Sequence, residues 1–272
     1  MGHQSEPTDR PAATTATVTL DGAVGRAERG RPGWEIELSA GTGRLGVDTA
    51  TALLVELVAS IARAGGGTVR WRVPEPTPEH SRIARSAGLG GDRALWEMRR
   101  SLPAPPPEPP LDTRPFVVGF DDDEWLRVNN AAFDWHPEQG GWGRSELTAQ
   151  VDEPWFDPEG FLLHPASEAG DPIDGFCWTK VHAGLEPPIG EIFAVAVDPA
   201  AAGTGLGRRL VLAGFDHLHR SGLAEVMLYT ESDNLPAVGL YRSLGLTVHH
   251  EVRVFEREVE PQMPVPTSVP MP

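Results

Sequence analysis

The sequence predicts an α/β protein of the α+β kind, in which a mixed sheet flanked by helices is formed twice. Three observations lead to this fold. Helical segments with apolar periodicity alternate with short β-rich runs, the same order of elements occurs twice, and a proline-rich segment separates the two copies. At 272 residues the chain is long enough for two modest domains, each with its own core.

The two copies align at an offset of 157 positions. SAGLG at 86–90 aligns with SLGLT at 243–247, and the strand-like TVRWRV at 68–73 aligns with EVMLYT at 225–230. A long apolar-periodic helix precedes each of these strands, so helix, strand, helix, Gly-Leu and strand occur twice in the same order. We therefore predict a duplication, although short matches also arise by chance between α/β segments.

The first copy lacks features that the second copy keeps. Ala84 aligns with Tyr241, the glycines of GTGRLGVD do not have the spacing of their counterparts, and fewer strands precede the helix. We expect the first copy to be shortened, degenerate and structural, and the second copy to carry the chemistry.

Residues 101–115 contain seven prolines in fifteen positions, which favours an extended spacer over a packed element. Both ends of the chain have a composition typical of disorder. The predicted organisation is a disordered tail at 1–15, a degenerate copy at 16–101, a proline-rich linker at 102–112, a catalytic domain at 113–260 and a disordered tail at 261–272.

Composition excludes several classes of function. The net charge of −16, with no basic stripe, argues against a nucleic-acid partner. No run of 18 apolar residues and no secretory signal is found, so we expect a cytoplasmic protein without a membrane partner. The single cysteine, Cys177, excludes an internal disulfide and a thiolate metal cluster. We expect a monomer.

The segment GEIFAVAVDPAAAGTGLGRRLVLAGFDHL at 190–218 predicts a strand, a glycine-rich loop and a helix. Alternation along the strand places Glu191, Phe193, Val195 and Val197 on one face. The loop glycines allow successive N–H groups to point outward at a helix N-terminus, which suits a pyrophosphate. The sequence fits neither a P-loop nor a dinucleotide-binding fingerprint, and a simple helix cap is the alternative.

The loop resembles motif A of the GNAT acetyltransferases, which reads Gln/Arg-x-x-Gly-x-Gly/Ala. Ala202 stands where the family carries Gln or Arg, and Thr204 where many members carry a second Arg, so the resemblance implies weaker binding of coenzyme A rather than none. Residues 228–246 resemble motif B, with Leu246 in place of the usual Phe.

Three other segments resemble the mycothiol synthase family: NNAAFDWHPEQGGW at 129–142, EPWFDPEGFLL at 153–163 and GFCWTKVH at 175–182. With motifs A and B, the resemblance covers most of 113–260. It implies a tandem GNAT acyl-CoA N-acyltransferase fold whose N-terminal half does not catalyse. It also implies acetyl transfer from acetyl-CoA to the cysteinyl amine of a cysteinyl-glucosaminyl-inositol, a small pseudodisaccharide with an amine and a thiol.

The resemblance also implies the roles of individual residues. Glu191 would accept the proton of the amine, and Tyr241 would protonate the departing thiolate, both in contact with the acceptor. Lys180, which is the single lysine of the chain, and Glu138 would hold hydroxyl groups of the acceptor. The structural alternatives are a solvated carboxylate, a core tyrosine and a surface lysine.

The implied acetyl-CoA site consists of the end of the central strand, the glycine loop and the starts of two helices: Val195, Ala196, Val197, Ala202, Gly203, Thr204, Gly205, Leu206, Gly207, Arg208 and Asn234. For Asn234 a helix N-cap is an equal alternative. His136 and His182 are not at metal-ligand spacing, so we predict no metal.

Two other functions remain open at this stage. The shortened first copy suggests a GNAT enzyme for a different small amine. Ala202 and Thr204 suggest a non-catalytic protein that binds acyl-CoA, whereas retention of Glu191 and Tyr241 opposes that interpretation.

Overall fold

The computed structural model describes residues 14–30, 33–40, 45–136, 138–165 and 168–262. Most of each predicted disordered tail, and part of the GTGRLGVD loop, lies outside the described residues. The inner ends of the two tails belong to the fold. Thr15 begins the first strand, and the Gln262 N–H donates a hydrogen bond of 2.8 Å to the Ala62 carbonyl.

The chain divides into two compact units, one formed by Met1–Ala94 with Val252–Pro272 and the other by Leu95–Glu251. The described elements of the first unit are β1 (Thr15–Leu20), β2 (Ala23–Arg29), β3 (Trp34–Ala40), α1 (Val47–Arg63), β4 (Gly67–Pro74), α2 (Pro78–Ser86) and the greater part of β11 (Thr247–Val259).

The sheet of the first unit has the order β1-β2-β3-β4-β11. β3 and β4 are parallel, and the other neighbours are antiparallel. α1 buries Leu54, Leu57 and Ile61 against this sheet, because spacings of three and four residues place them on one helix face. Trp34, which is fully buried, fixes the helix end by donating a hydrogen bond from Nε1 to the Gly66 carbonyl.

The described elements of the second unit are most of β5 (Gly90–Ser101), β6 (Arg114–Pro115), α3 (Asp122–Ala132), α4 (Arg144–Val151), β7 (Phe161–His164), β8 (Gly175–His182), β9 (Ile189–Val197), α5 (Leu206–Arg220), β10 (Glu225–Glu231) and α6 (Leu235–Ser243). Its sheet has the order β5-β10-β9-β8-β7-β6. β9 and β10 are parallel, and the other neighbours are antiparallel.

The bounds of the elements confirm the tandem fold. α2 spans Pro78–Ser86 and α6 spans Leu235–Ser243, which are the same positions shifted by 157. α1 and α5 end at Arg63 and Arg220, again 157 positions apart. In each unit the strand before the long helix is parallel to the strand after it.

The two copies exchange their last strands. β5 follows α2 in the chain, yet it pairs with β10 from Ser101↔Glu225 to Leu95↔Glu231. β11 follows α6, yet it pairs with β4 from Val252↔Pro74 to Val259↔Gly67. The open edge of each central strand is thus satisfied by the other copy.

This exchange moves the unit boundaries away from the proline-rich segment. The predicted copies at 16–101 and 113–260 follow the sequence repeat, whereas the compact units divide at 94/95 and 251/252. The proline-rich segment lies within the second unit, where the Leu102 N–H donates to the Ala224 carbonyl at 2.8 Å.

The sheet of the second unit is covered on both faces. On one face α5 and α6 bury a core that includes Cys177, Phe215 and Leu228. On the other face α3 covers an aromatic core, in which the rings of Phe161 and Trp178 are stacked with centroids 4.2 Å apart. Within the described residues, no helix has the length and apolar character needed to cross a bilayer.

Candidate active site

A β-bulge in β9 determines which side chains share a face. The register with β8 passes from Trp178↔Ala194 to Thr179↔Ile192, so Phe193 is an extra residue without a partner of its own. A bulge bends its strand and reverses the alternation that follows, which affects every side chain between Phe193 and the glycine loop.

The predicted faces of β9 are therefore wrong beyond Phe193. Simple alternation placed Glu191 and Phe193 together with Val195 and Val197. In the structure these two valines pack into the core under α5, and Ala194 packs with Phe193 in the aromatic core on the other face. The sequence carries no clear signal for a bulge at this position.

The registered pairing of β9 with β10 ends at Glu191, just before the bulge. Within the described residues their parallel register consists of Val226↔Gly190 and Met227↔Glu191. Beyond Glu191, the edge of β9 that faces β10 has no registered partner strand through Val197. Backbone groups along such an edge need other hydrogen-bond partners, which an extended ligand with amide groups can supply.

The glycine loop begins where the opening between the strands ends. Gly203 and Gly205 have φ angles of +79° and +77°, and the surroundings of both leave open space where a side chain would stand. Gly205 is the N-cap of α5, so the first N–H groups of the helix point out of the loop. Ala202 and Thr204 are exposed, and the Thr204 hydroxyl donates to the Ala201 carbonyl at 2.8 Å.

Neighbouring helices support the loop. Arg208 in the first turn of α5 donates from Nη1 to the Ser243 hydroxyl at 2.8 Å. Asn234 caps α6, because its Oδ1 accepts the Ala237 N–H at 3.2 Å. The N-cap alternative for Asn234 is therefore observed. Gly207 lies close to Val197, since a Cβ there would stand 3.5 Å from a valine methyl.

Glu191 is a nearly buried carboxylate in the last registered pair of β9 and β10. Its side chain is about 10% exposed, and its Oε2 lies 2.7 Å from Nε2 of His182 at the end of β8. Charged groups are seldom this buried without a partner, so the imidazole belongs to the site.

Lys180 is the cross-strand partner of Glu191, but its ammonium contacts aromatic rings. Nζ lies 4.4 Å from the ring centroid of Trp155 and 5.4 Å from that of Phe193. Such contacts hold an ammonium electrostatically and leave part of its hydration shell open to a hydroxyl ligand.

Tyr241 lies within the core under α5 and α6, with 9% of its surface exposed. Burial, with a smaller contribution from Cys177, raises the pKa of Tyr241 to about 12. The phenol is therefore protonated at neutral pH. The same burial raises the pKa of the Cys177 thiol to about 12, which makes it unsuitable as a nucleophile.

Sequence reasoning assigned no role to Tyr229 and Glu97. They are cross-strand partners on β10 and β5, and the Tyr229 hydroxyl donates to Oε2 of Glu97 at 3.0 Å. Arg99 donates to the other carboxylate oxygen of Glu97 at 2.5 Å. Burial and then Glu97 raise the pKa of Tyr229 to about 12, and the charge of Glu191 makes a smaller contribution in the same direction.

A signal for Tyr229 was present in the sequence, because it is one of two tyrosines in a chain that otherwise avoids this residue. Glu97 gave no such signal. It lies in the first copy, and the strand exchange that carries it to β10 depends on long-range pairing.

Glu138 lies in the loop after α3. Its backbone carbonyl accepts a hydrogen bond from Trp142 Nε1 at 2.8 Å, and its N–H donates to Nδ1 of His136 at 3.2 Å. Nε2 of His136 stands 4.0 Å from a carboxylate oxygen of Glu231 at the end of β10. The loop of Glu138 thus adjoins the strand that carries Tyr229.

The first unit has neither a carboxylate nor a phenol at the positions that correspond to Glu191 and Tyr241. Trp34 and Ala84 stand 157 positions before Glu191 and Tyr241, and both are buried in its core. Within the described ranges, no group of three or more His, Cys, Asp or Glu side chains is arranged to hold a metal ion.

Comparison with known proteins identifies relatives of this chain. The model of the acetyltransferase (GNAT) family matches residues 125–246. The mycothiol acetyltransferase of Nocardia farcinica is 46% identical over 220 residues, which cover 79% of this chain and 71% of that protein. The mycothiol acetyltransferase of Segniliparus rotundus is 44% identical over 206 residues, covering 73% and 77%. Over eight such relatives the aligned region spans 53% to 77% of their length.

Solved structures show the same fold at lower identity. A GCN5-related N-acetyltransferase from Sphaerobacter thermophilus superposes with a TM-score of 0.69 at 23% identity, over 90% of this chain and 79% of that one. A tandem GNAT protein from the clavulanic acid biosynthesis pathway gives a TM-score of 0.60 at 19% identity, over 93% and 85%.

Proposed function

The chain belongs to the mycothiol acetyltransferases and is an acetyltransferase of the GNAT type, and on this premise we propose that it acetylates the cysteinyl amine of desacetylmycothiol to give mycothiol. The observation that carries the proposal is the position of Glu191. Its carboxylate lies in the last registered pair of β9 and β10, directly before the opening that leads to the glycine loop.

Acetyl-CoA fits the opening and the loop. The pyrophosphate would bind the outward N–H groups from Gly203 to Arg208, where the helix N-terminus and the guanidinium favour an anion. The amides of the pantetheine arm would pair with the free edge of Val195–Val197. Main-chain groups do most of this binding, so Ala202 and Thr204 would reduce the affinity without abolishing it.

Glu191 would act as the base. Its ionised carboxylate accepts a proton from the ammonium of the acceptor, directly or through one water, and frees the nitrogen lone pair to attack the thioester carbonyl. N–H groups along the free edge of β9 would donate to the oxyanion that forms.

Tyr241 would assist departure of the thiolate. A thiol has an ordinary pKa of about 8.5, whereas the pKa of Tyr241 is raised to about 12. The phenol is thus the weaker acid and keeps its proton, so it would stabilise the sulfur anion as a hydrogen-bond donor more than by complete proton transfer. This refines the role of general acid predicted from the sequence.

The face of the sheet that carries Glu191 would hold the acceptor. Lys180 and Glu138 are proposed to bind hydroxyl groups of its sugar and inositol rings. Tyr229 and Glu97 would extend that surface, and the two carboxylates at 97 and 191 would attract the cationic amine.

The test is turnover by the full chain with acetyl-CoA and desacetylmycothiol. The acceptor itself carries a thiol, so coenzyme A and N-acetylated product should be quantified by mass spectrometry rather than by a thiol reagent. Equal formation of the two products supports the proposal. Turnover with other amines alone would overturn the assignment of the acceptor, and binding of acetyl-CoA without turnover of any amine would overturn the enzymatic role.

A further inference from the structure

The carboxylate of Glu191 is bound by an imidazole rather than by the lysine opposite it. We propose that His182 is a positioning residue for Glu191, holding Oε2 so that Oε1 is directed at the amine of the acceptor. The inference rests on the proposed function, because it assigns a partner to the base of that reaction.

The geometry supports a specific hydrogen bond. Nε2 of His182 lies 2.7 Å from Oε2 of Glu191, and the histidine is the last residue of β8, paired in register with Ile189. Glu191 is two positions along β9 from Ile189, so the two side chains are diagonal neighbours on one face of the sheet. An ionised carboxylate has no proton to give, so the imidazole must be the donor.

Two polar side chains on the neighbouring strands have partners of their own. Lys180 from β8 lies over the rings of Trp155 and Phe193. Tyr229 from β10 donates to Glu97 of β5. Across the residues that the structure describes, His182 is the sole hydrogen-bond partner of the Glu191 carboxylate.

This arrangement matters because Glu191 is nearly buried, and a buried charged group needs a hydrogen-bond partner. The bond fixes the torsion of the carboxylate, so that one oxygen remains available for the amine. The side chain of His182 is 28% exposed and the turn after it is exposed, so replacing it disturbs little packing.

The kinetic test compares His182→Phe, which removes the donor, with His182→Gln, whose amide retains one. We expect His182→Phe to lower kcat by about 10- to 100-fold, the effect of losing a hydrogen bond to a charged group, with the KM for acetyl-CoA within about twofold of the original. The kcat/KM for the acceptor should fall to the same extent, because the lost hydrogen bond acts on the step that uses the carboxylate. His182→Gln should restore most of both losses.

A second measurement does not depend on turnover. The imidazole of His182 in the full chain, identified by the loss of its ¹⁵N signal in His182→Gln, should carry its proton on Nε2. The ¹⁵N chemical shift of Nε2 should change in Glu191→Gln, because a neutral amide then replaces the charged acceptor of its hydrogen bond. His219→Phe, at an exposed position near the end of α5, is the matched control and should leave kinetics unchanged.

The outcomes separate the two proposals. An inactive wild-type chain overturns the proposed function. An active chain in which His182→Phe keeps its kcat overturns the positioning role, as does a ¹⁵N signal of His182 Nε2 that is unchanged in Glu191→Gln. Equal impairment of the Phe and Gln variants would indicate a packing role and would also overturn it.

Discussion

Lys180 and Glu191 stand directly opposite each other in the β8–β9 pair, yet the lysine ammonium lies 4.4 Å from the ring centroid of Trp155 and the carboxylate is bound to His182. A direct ion pair would stabilise the ionised carboxylate strongly and weaken it as a base. In the proposed reaction, the aromatic contact would keep the ammonium available to the acceptor and would leave Glu191 free to act as the base.

The first prediction concerns Glu191→Gln. The amide has the same shape but accepts no proton, so turnover should fall by about 10²- to 10⁴-fold. The affinity for acetyl-CoA, measured by calorimetry, should change by less than about threefold. Glu186→Gln, in the exposed turn before β9, is the control and should retain full activity. Equal losses in turnover and in affinity would show that Glu191 is structural.

The second prediction concerns Tyr241→Phe. Loss of the phenol removes a donor to the departing sulfur, and kcat should fall by about 10- to 100-fold while acetyl-CoA still binds. The core position predicts a small effect on stability, because the change removes one oxygen and leaves the ring in place. The variant should therefore melt near the temperature of the original protein. Unchanged kcat would exclude a role at the thioester.

The third prediction concerns Gly205→Ala. A positive φ costs a residue with a Cβ about 1–2 kcal/mol, so the loop would relax in the free protein and would have to be reformed on binding. The dissociation constant for acetyl-CoA should rise by about tenfold. Gly222→Ala is a matched control, since Gly222 follows α5 with a φ of +89° and open space around it. It should lose similar stability and keep its affinity.

The fourth prediction concerns the pH dependence of stability. Burial acts to raise the pKa of Asp121, but hydrogen bonds from Arg114 and from two backbone N–H groups outweigh it, so the pKa lies below its ordinary value of 3.8. The stabilisation is therefore complete above that value and is lost as pH falls through the lowered pKa.

Asp121→Asn should cost about 3 kcal/mol at pH 7, where it leaves the Arg114 guanidinium without its ion pair. The difference from the original protein should shrink as the pH falls below 3.8 and through the lowered pKa of Asp121. Urea unfolding followed by tryptophan fluorescence measures both, since Trp125 lies in the adjoining helix. Asp216→Asn, at an exposed helical pair, is the control and should cost under about 0.5 kcal/mol. A cost for Asp121→Asn that is equal at pH 7 and pH 3 would contradict this account.

The fifth prediction concerns Tyr229→Phe. Tyr229 lies on the proposed acceptor surface, and its hydroxyl donates a hydrogen bond to Glu97. Removal of the hydroxyl should therefore raise the KM for the acceptor by about tenfold, which is the effect of losing one hydrogen bond to a charged group. The KM for acetyl-CoA should stay the same. A change confined to acetyl-CoA would place Tyr229 outside the acceptor surface.

Local features of the fold were predictable, and long-range pairing was not. The bounds of α2 and α6 repeat at the offset of 157, because each helix is determined by the apolar periodicity and the Gly-Leu terminus within its own copy. The exchange of β5 and β11 depends on which distant edge each strand meets, and both pairings satisfy the same pattern of alternation. The bulge at Phe193 also has no clear local signal, since it arises from register with β8.

The residues of the site were likewise predictable only where local sequence identifies them. Motifs indicate Glu191, Tyr241 and the glycine loop, whereas the partners of these residues are known from the structure. His182 falls within a segment that resembles the family, but its bond to Glu191 requires the register of two strands. Glu97 is separated from Tyr229 by more than a hundred positions, and its place opposite Tyr229 is known from pairing alone.

Residues 95–101 of β5 come from the first copy but belong to the sheet of the second unit. This limits which parts of the first copy can be lost during evolution. A copy that lacks the proposed base and acid could ordinarily be deleted from the gene. Here a deletion would also remove the strand that pairs with β10 and presents Glu97. We expect selection on enzyme activity to constrain residues 95–101 more strongly than the rest of the first copy.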